Sequence, residues 1–588
     1  MNHNFMDNSL VEQVRMKAIG WLSSDYNEET RKKVKELLEK EDPTDLIEAF
    51  YKDLEFGTGG LRGIIGVGTN RMNIYTIGFA TQGLANYLKK EFGRLAEISV
   101  VIGYDCRNNS QLFAKRSAEI FSANGIRVYL FSALRPTPEI SYTVRYLRCQ
   151  SGICITASHN PKEYNGYKVY WNDGAQVIDP HDKNIIEEVN RITPEDIKKL
   201  NENCSLIQLI DNKIDEKYIK DLLNISISKN AILRNKDIKI VYTPLHGTGV
   251  TLIPQVLSLL GFKNIIRVPE QDIVSGDFPT VQSPNPEEAS ALLLAIEKAK
   301  VNGADIVMAS DPDADRMGAA IRNEKGEFIL LNGNQTLLIF IYYLIARWKE
   351  QGKLKGNEYV VKTIVSTDTV KTIAETNNVQ LYDVYTGFKW IANILRQNEG
   401  KKTFIGGGEE SYGFLAEDFV RDKDAVSACM LFAEIAAWAK DNGKTVYELL
   451  QDIYVEYGYS KEVCISVIKQ GKLGEESIVV MMKNYRNNLP TELAGSKIIL
   501  VKDFLQLTEM RIMNGAKQLN KLDMSTVSDV LQYFTEDGTK VSIRPSGTEP
   551  KIKFYIEIHS KVNSRQEIAM AETAAKTKIE AIRKSLKL

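Results

Sequence analysis

Cysteine is scarce in this chain, and its spacing excludes more than its number. Six residues, Cys106, Cys149, Cys154, Cys204, Cys429 and Cys464, are spread over 588 positions. None is paired as C-x-x-C, and the closest two, Cys149 and Cys154, lack a second pair to complete a zinc site. Buried thiols are the expectation. An excess of either charge is also lacking: 75 Lys and Arg stand against 76 Asp and Glu, a net charge of −1. Without a basic stripe, nucleic acid is not an expected partner. A bound anion must be met by local cations and backbone amides. No apolar run approaches the roughly 20 residues that span a bilayer. The first residues, MNHNFMDNSLVEQVRMKAIG, lack the charged-then-apolar pattern of a signal peptide. A cytoplasmic protein with no membrane partner is expected. GxxxxGK[ST] is absent, as is a GxGxxG after a strand, so P-loop and Rossmann cofactor sites have no support.

What is present is a long alternation of strands and helices. The length suggests about four domains. Residues 1–55 read as helices, one starting at Pro43 or Thr44, and end in a glycine-rich turn, GTGGLRG (57–63). Buried-strand patterns follow at 98–105, 126–131, 152–156, 238–244, 264–269, 304–310, 359–366, 379–385 and 403–407, most separated by helical stretches. That rhythm predicts α/β units with parallel or mixed sheets and ligands at the carboxyl ends of strands. The last segment differs. KVSIRPSG and KIKFYIEIHS predict a strand pair with a tight turn, and a charged amphipathic helix follows at about 563–585. The C-terminal part is therefore expected to be α+β.

Several loops carry chemistry. TASHNPKEYNGYK (156–168) holds a serine whose hydroxyl suits a helix cap, a turn or a nucleophile. It is not the G-x-S-x-G elbow of a serine hydrolase, and adjacent Ser158 and His159 do not by themselves make a nucleophile–base pair. Lys168 could return to this loop through an Asn-Gly turn at 165–166. DPDADR (311–316) spaces Asp311, Asp313 and Asp315 alternately. Three such carboxylates repel unless a cation neutralises them. An EF-hand is excluded, since Arg316 and Arg322 stand where its glycine and glutamate belong. Mg²⁺ suits the site better, although a solvated acidic turn uses the same residues. RPSGTEPK (544–551) offers a guanidinium, hydroxyls and turned-in amides for a phosphate, or an ordinary hairpin loop. GGGEESYG (406–413) places Glu409 and Ser411 where they could bind sugar hydroxyls, or begin a helix. TGFKW (386–390) contributes Lys389 as a possible phosphate ligand. RDKD (421–424) suits a helix cap, and PLHGTG (244–249) a structural turn.

Each motif is modest alone. The ordered set TASHNP, DPDADR, GEES, RPSGTEP closely resembles the alpha-D-phosphohexomutase superfamily, the phosphoglucomutases and phosphomannomutases, from about residue 55 to the end. LEFGTGGLRG (54–63) and the helical N-terminus resemble its phosphoglucomutase-2, or phosphopentomutase, branch. The resemblance implies four domains around a central cleft, three related mixed-sheet α/β domains and a C-terminal α+β domain. The corresponding boundaries are 1–205, 206–325, 326–455 and 456–588.

It also implies roles. Ser158 would be the phosphoserine, and its phosphate would join Asp311, Asp313 and Asp315 in holding Mg²⁺. Arg62, Arg316 and His159 would neutralise charge around the transferring group, and Lys168 would act as acid or base. Glu409 and Ser411 would grip two sugar hydroxyls. Thr386, Gly387 and Lys389 would orient the sugar. Lys423 would lie on the phosphate side, and Arg544, Ser546, Gly547 and Thr548 would hold the other phosphate. The implied activity converts glucose 1-phosphate to glucose 6-phosphate through glucose 1,6-bisphosphate, with water excluded by domain closure. GEESYG favours glucose over mannose. Ribose or deoxyribose 1-phosphate and bisphosphate synthesis remain alternatives, and a phosphomonoesterase or non-catalytic scaffold fits less well. A small sugar phosphate is the expected partner, bound by a monomer or homodimer.

Overall fold

The computed structural model describes residues 8–55, 60–200, 205–469, 471–513, 515–524, 526–546 and 551–588. The chain divides into two compact units, Met1–Gly333 with Phe388–Gly443, and Asn334–Gly387 with Lys444–Leu588.

The first unit opens with helices Asn8–Gly20, Glu28–Glu39 and Thr44–Phe50. An aromatic cluster joins them. Trp21 stacks on Tyr26 with ring centroids 4.5 Å apart and meets Phe50 and Tyr75 edge-on. Such pairs add about 0.5–1.5 kcal/mol beyond area burial.

A six-stranded sheet follows in the order Gly60–Ile64, Tyr164–Trp171, Ser151–Ile155, Ser99–Tyr104, Arg127–Phe131, Ile207–Ile210. The run SVVIGY is buried throughout because both faces of its strand are covered. Val100 and Ile102 pack with Leu84, Leu88 and Phe113, whereas Val101 packs with Ile140 and Val144. Two local expectations fail here. Residues 60–63 of the expected glycine-rich turn are strand, and positions 57–59 lie outside the described residues. Asn165 and Gly166 do not turn; they lie inside the strand Tyr164–Trp171. Gly166 is needed for close approach, since a Cβ there would stand 2.4 Å from the Thr156 carbonyl oxygen and 2.9 Å from that of Leu61.

The second sheet runs Phe328–Leu330, Met317–Arg322, Ile306–Ser310, Lys239–Thr243, Asn264–Arg267. Its three long apolar runs are parallel, and Met317–Arg322 returns antiparallel after the aspartate loop. PLHGTG is a turn that leads into the helix Gly249–Leu260. Also in the first unit, Thr403–Gly408 pairs antiparallel with Phe414–Ala416, flanked by helices Phe388–Asn398 and Ala425–Asp441.

In the second unit Glu358–Thr363 runs parallel to Gln380–Val384. The C-terminal sheet is antiparallel, ordered Tyr459–Ile468, Lys551–Ser560, Lys540–Pro545, Leu531–Thr535, Ser496–Asp503, Thr508–Met513, Ala516–Lys521. Helices Gly471–Asn487 and Arg565–Ser585 accompany it. Buried charges join these parts. Lys540 Nζ lies 3.0 Å from Asp368 and 2.7 Å from Glu557, and Lys362 Nζ lies 2.9 Å from Asp368. Such charges persist in a core only when paired on several sides. The architecture is three mixed α/β domains and a C-terminal domain of antiparallel sheet and helices. Among the described cysteines, Cys149, Cys154 and Cys429 are buried as expected and Cys106 is half-buried. Cys464 is exposed, because its strand presents alternate residues outward.

Candidate active site

Ser158 stands three residues beyond the strand Ser151–Ile155, and Asp311 directly follows Ile306–Ser310. Both sit at carboxyl ends of strands, where α/β sheets place ligands. Ser158 is buried and has φ 52°, a left-handed conformation that costs a non-glycine residue about 1–2 kcal/mol. Its amide donates to Thr156 Oγ1 at 2.8 Å. Its hydroxyl donates to Asp311 Oδ2 at 2.6 Å and lies 3.2 Å from His159 Nδ1. The serine of one sheet thus rests on the aspartate loop of another.

That loop turns through a left-handed Ala314 (φ 50°), whose amide donates to the Asp311 carbonyl. Asp311 Oδ1 accepts from the amides of Asp315 and Arg316, each at 3.0 Å. All three aspartates are buried, and one oxygen from each lies within 4.8 Å of the others. Asp313 Oδ2 accepts from Lys168 at 2.7 Å and from Thr137 Oγ1 at 2.9 Å. Asp315 Oδ2 accepts from Lys168 at 2.9 Å and Lys423 at 2.7 Å. The opposite oxygens, Asp313 Oδ1 and Asp315 Oδ1, are buried without a hydrogen-bond donor among the described residues. Orphaned carboxylate oxygens of this kind are costly unless a cation meets them. Burial, then repulsion from Asp313 and Asp315, pushes the Asp311 carboxyl well above its usual range. A hard divalent cation among oxygen ligands would remove both penalties. The donor set fits Mg²⁺, and the triad is a candidate metal site.

Cations surround it. Lys168 comes from the strand Tyr164–Trp171, where it pairs with Cys154 on one side and Gly60 on the other. Burial opposes its charge, but Asp313 and Asp315 prevail and hold it protonated. Arg316 Nη1 donates to Glu287 at 3.2 Å and to the Ser411 carbonyl at 3.0 Å, and its Nε lies 3.6 Å from Asp315 Oδ1. Arg62 Nη1 donates to Asn160 Oδ1 at 3.1 Å. His159 differs. Burial, with Arg316 and Arg62 nearby, pushes its imidazole well below the usual value. Its Nδ1 lies within hydrogen-bonding distance of the Ser158 hydroxyl.

The sugar-loop candidates are tied to the same place. Glu409 is buried, and its amide donates to the Gly413 carbonyl at 2.9 Å. A Cβ on Gly413 would lie 2.5 Å from Lys423 Cδ and 2.9 Å from Glu409 Oε2, so glycine lets these two side chains meet. Gly413 bridges Arg316, and the Ala425 amide donates to the Ala314 carbonyl at 3.1 Å. Asp424 caps the helix Ala425–Asp441, as RDKD suggests. Lys423 reaches the aspartate triad from that cap. Lys389, in the first turn of Phe388–Asn398, lies 5.2 Å over the Trp390 ring.

In one unit, then, a buried serine, three aspartates, two lysines and an arginine converge with Glu409 and the Ser411 backbone. The family description "Phosphoglucomutase/phosphomannomutase, alpha/beta/alpha domain I" matches residues 53–196, domain II 216–326, domain III 332–457, and the C-terminal domain 501–575. The chain belongs to the phosphoglucomutase/phosphomannomutase family. It is a phosphohexomutase, an intramolecular phosphotransferase of the isomerase class. It is 36% identical over 516 residues to a phosphoglucomutase of Staphylococcus haemolyticus, covering 87% of this chain and 91% of that protein. It is 36% identical over 529 residues to one of Staphylococcus aureus strain N315, covering 89% and 93%. The fold also resembles that of pp63/parafusin, a phosphoglucomutase from Paramecium in an open form, with TM-score 0.67 and 18% identity over 91% of this chain and 96% of that one. A phosphoglucomutase/phosphomannomutase family protein from Burkholderia thailandensis gives TM-score 0.65 and 16% identity over 90% and 97%.

The remaining candidates belong to the second unit. Thr386 and Gly387 form the bend before Phe388–Asn398, with Gly387 at φ 111°. Arg544 lies in the strand Lys540–Pro545, and the Ser546 amide donates to the Lys551 carbonyl at 2.8 Å. Gly547 and Thr548 lie outside the described residues. Two residues that no motif flagged touch the phosphohexomutase loops directly. Thr137 holds Asp313 by side chain and, at 2.8 Å, by its amide to the Asp313 carbonyl. Arg107 holds the serine loop. Only the Pro-Thr-Pro entry to the helix Thr137–Tyr146 and the D-x-R after Ser99–Tyr104 could have pointed to them.

Proposed function

We propose that this phosphohexomutase interconverts α-D-glucose 1-phosphate and glucose 6-phosphate, with Ser158 as the phosphoryl carrier and glucose 1,6-bisphosphate as the intermediate. One observation carries the assignment of Ser158: its hydroxyl lies 2.6 Å from Asp311, in a carboxylate triad whose other two members each keep one oxygen without a hydrogen-bond donor among the described residues. A phosphate placed on that oxygen would bring negative charge to the cation site, with Arg316 and Arg62 beside it. Mg²⁺ held by Asp311, Asp313, Asp315 and the phosphate would supply neutralisation of charge on the transferring group.

In the forward half-cycle the sugar 6-hydroxyl oxygen bonds to phosphorus as the bond from phosphorus to Ser158 Oγ breaks. The hydroxyl loses a proton and Ser158 Oγ gains one, so the exchange is proton-neutral. Lys168, beside Asp313 and Asp315, is assigned the acid/base of this exchange, giving a proton to Ser158 Oγ and regaining one from the hydroxyl. The bisphosphate then presents its 1-phosphate to Ser158, which regains a phosphoryl group and leaves glucose 6-phosphate. Both orientations use the same groups: Glu409 and Ser411 for the sugar hydroxyls, Thr386, Gly387 and Lys389 for sugar orientation, and Lys423 on the phosphate side. Arg544, Ser546, Gly547 and Thr548 are assigned to the phosphate that is not being transferred.

The GEESYG loop and the phosphoglucomutase names of the staphylococcal relatives support glucose as the sugar. A substrate panel tests this. With Mg²⁺ and a trace of glucose 1,6-bisphosphate, kcat/KM is expected to be at least about tenfold higher for glucose 1-phosphate than for the 1-phosphates of mannose, ribose and deoxyribose, a difference of about 1.4 kcal/mol. A preference for the pentoses would instead place the chain in the phosphopentomutase branch.

A further inference from the structure

The loop that carries Ser158 has little regular structure of its own, yet it holds a non-glycine residue in a left-handed conformation. Something outside the loop must overdetermine it. The structure assigns that task to Arg107, which we infer to be the positioning residue of the serine loop.

Arg107 is buried, 3% exposed, in the turn Asp105–Ser110 after the strand Ser99–Tyr104. Its guanidinium donates to four carbonyls of one short segment. Nη2 reaches Ser158 at 2.6 Å and also Asn160; Nη1 reaches Pro161 at 2.8 Å and Tyr164 at 3.0 Å. Those carbonyls point inward around one planar cation, and this fixes the path of residues 158–164. Lysine could not replace it, since an ammonium is a point donor without the fork.

The guanidinium is itself held. Its Nε lies 3.3 Å from Asp105 Oδ2, and the Phe278 ring lies 5.1 Å from its central carbon. Asp105 Oδ1 accepts from the Arg107 amide at 2.9 Å and from Ser110 Oγ at 2.7 Å. Asn165, at the far end of the loop, donates to the Asn108 carbonyl and to Ser110 Oγ, each at 3.0 Å. The Asp105–Ser110 turn is thus a mould for the loop, and Arg107 is its central contact. It touches no reacting atom. Its effect on transfer is exerted through the backbone of Ser158, whose Oγ must return to one place in each half-cycle.

The inference rests on Ser158 being the phosphoryl carrier, so the test separates the two. Arg107→Lys is compared with the intact protein in three measurements: hydrogen exchange of peptides covering 156–166, the rate of Ser158 phosphorylation by glucose 1,6-bisphosphate followed by mass spectrometry, and steady-state kinetics beside the thermal midpoint. Exchange is expected to rise in 156–166 but not in the strand Ser99–Tyr104. Phosphorylation and kcat are expected to fall about 100-fold, the typical cost of a misplaced reacting group, while KM changes less than threefold. Unchanged exchange in 156–166, or wild-type phosphorylation of a folded variant, would overturn the role of Arg107. Failure of the intact protein to take phosphate at Ser158 would instead overturn the functional assignment, and the exchange result would still decide the positioning role. If Arg107→Lys does not fold, Phe278→Leu removes only the ring beside the guanidinium. It is expected to raise exchange in the same peptides and lower the phosphorylation rate several-fold; no change in either would overturn the inference.

Discussion

Thr137 shows how single contacts set up the candidate metal site. Its hydroxyl occupies Asp313 Oδ2 together with Lys168, which leaves Asp313 Oδ1 as the oxygen without a donor among the described residues. Its amide also grips the carbonyl of the same residue. Outer contacts of this kind orient a ligand before the metal arrives, and their loss typically costs 10–100-fold in metal affinity. Thr137→Val keeps the shape and the amide bond but removes the hydroxyl. It is expected to weaken Mn²⁺ binding, measured calorimetrically without substrate, by about tenfold or more, and Thr137→Ser to restore most of it. Equal affinity for Thr137→Val and the intact protein would remove Thr137 from the metal site. At His159, burial with Arg316 and Arg62 nearby pushes the imidazole well below its usual value, a field that no sequence motif carries.

At the scale of elements, close backbone contact decides what the site tolerates. Gly247, in the PLHGTG turn, packs against the start of the aspartate loop: a Cβ there would lie 2.4 Å from Pro312 Cα and 2.5 Å from its carbonyl oxygen. The Thr248 amide donates to that same oxygen at 2.8 Å. These atoms are backbone and cannot swing aside as a side-chain end could. Gly247→Ala is expected to destabilise the protein by about 1–3 kcal/mol in urea unfolding and to reduce Mn²⁺ affinity. A variant with native stability and affinity would show that the loop has slack at Pro312. The long parallel strands were legible because buried β-branched runs have few other interpretations. The strands Gly60–Ile64 and Tyr164–Trp171 were not. GLRGI and YNGYKVYW carry turn-forming residues, and Gly166 is present because neighbouring carbonyls crowd it, which only the assembled sheet reveals. The antiparallel strands between Ser496 and Thr535 were also unread. Ser496–Asp503 alternates, and Thr508–Met513 and Ala516–Lys521 are largely exposed, patterns weaker than a buried run.

For the whole molecule, a nearly neutral chain concentrates its charge locally. The first unit brings Ser158, the aspartate triad, Lys168, Lys423, Arg316 and Glu409 to one place, though they span sequence separations of up to 265 residues. The second carries Arg544 and Ser546. The residue types at the site were legible as motifs, because phosphoryl transfer needs carboxylates for a cation and fixed positive charge. Their supports, Arg107 and Thr137, were not legible, because a buried hydrogen bond leaves no periodic signature. The central claim is that Ser158 passes its phosphoryl group to the sugar and not to water. The direct measurement loads the protein with ³²P from labelled glucose 1,6-bisphosphate, locates the label by peptide mapping, and adds unlabelled glucose 1-phosphate with Mg²⁺ in a single turnover. Label on Ser158 that passes into sugar phosphates, and none taken up by Ser158→Ala, is the predicted result. Label at another residue, or released chiefly as inorganic phosphate, would contradict it.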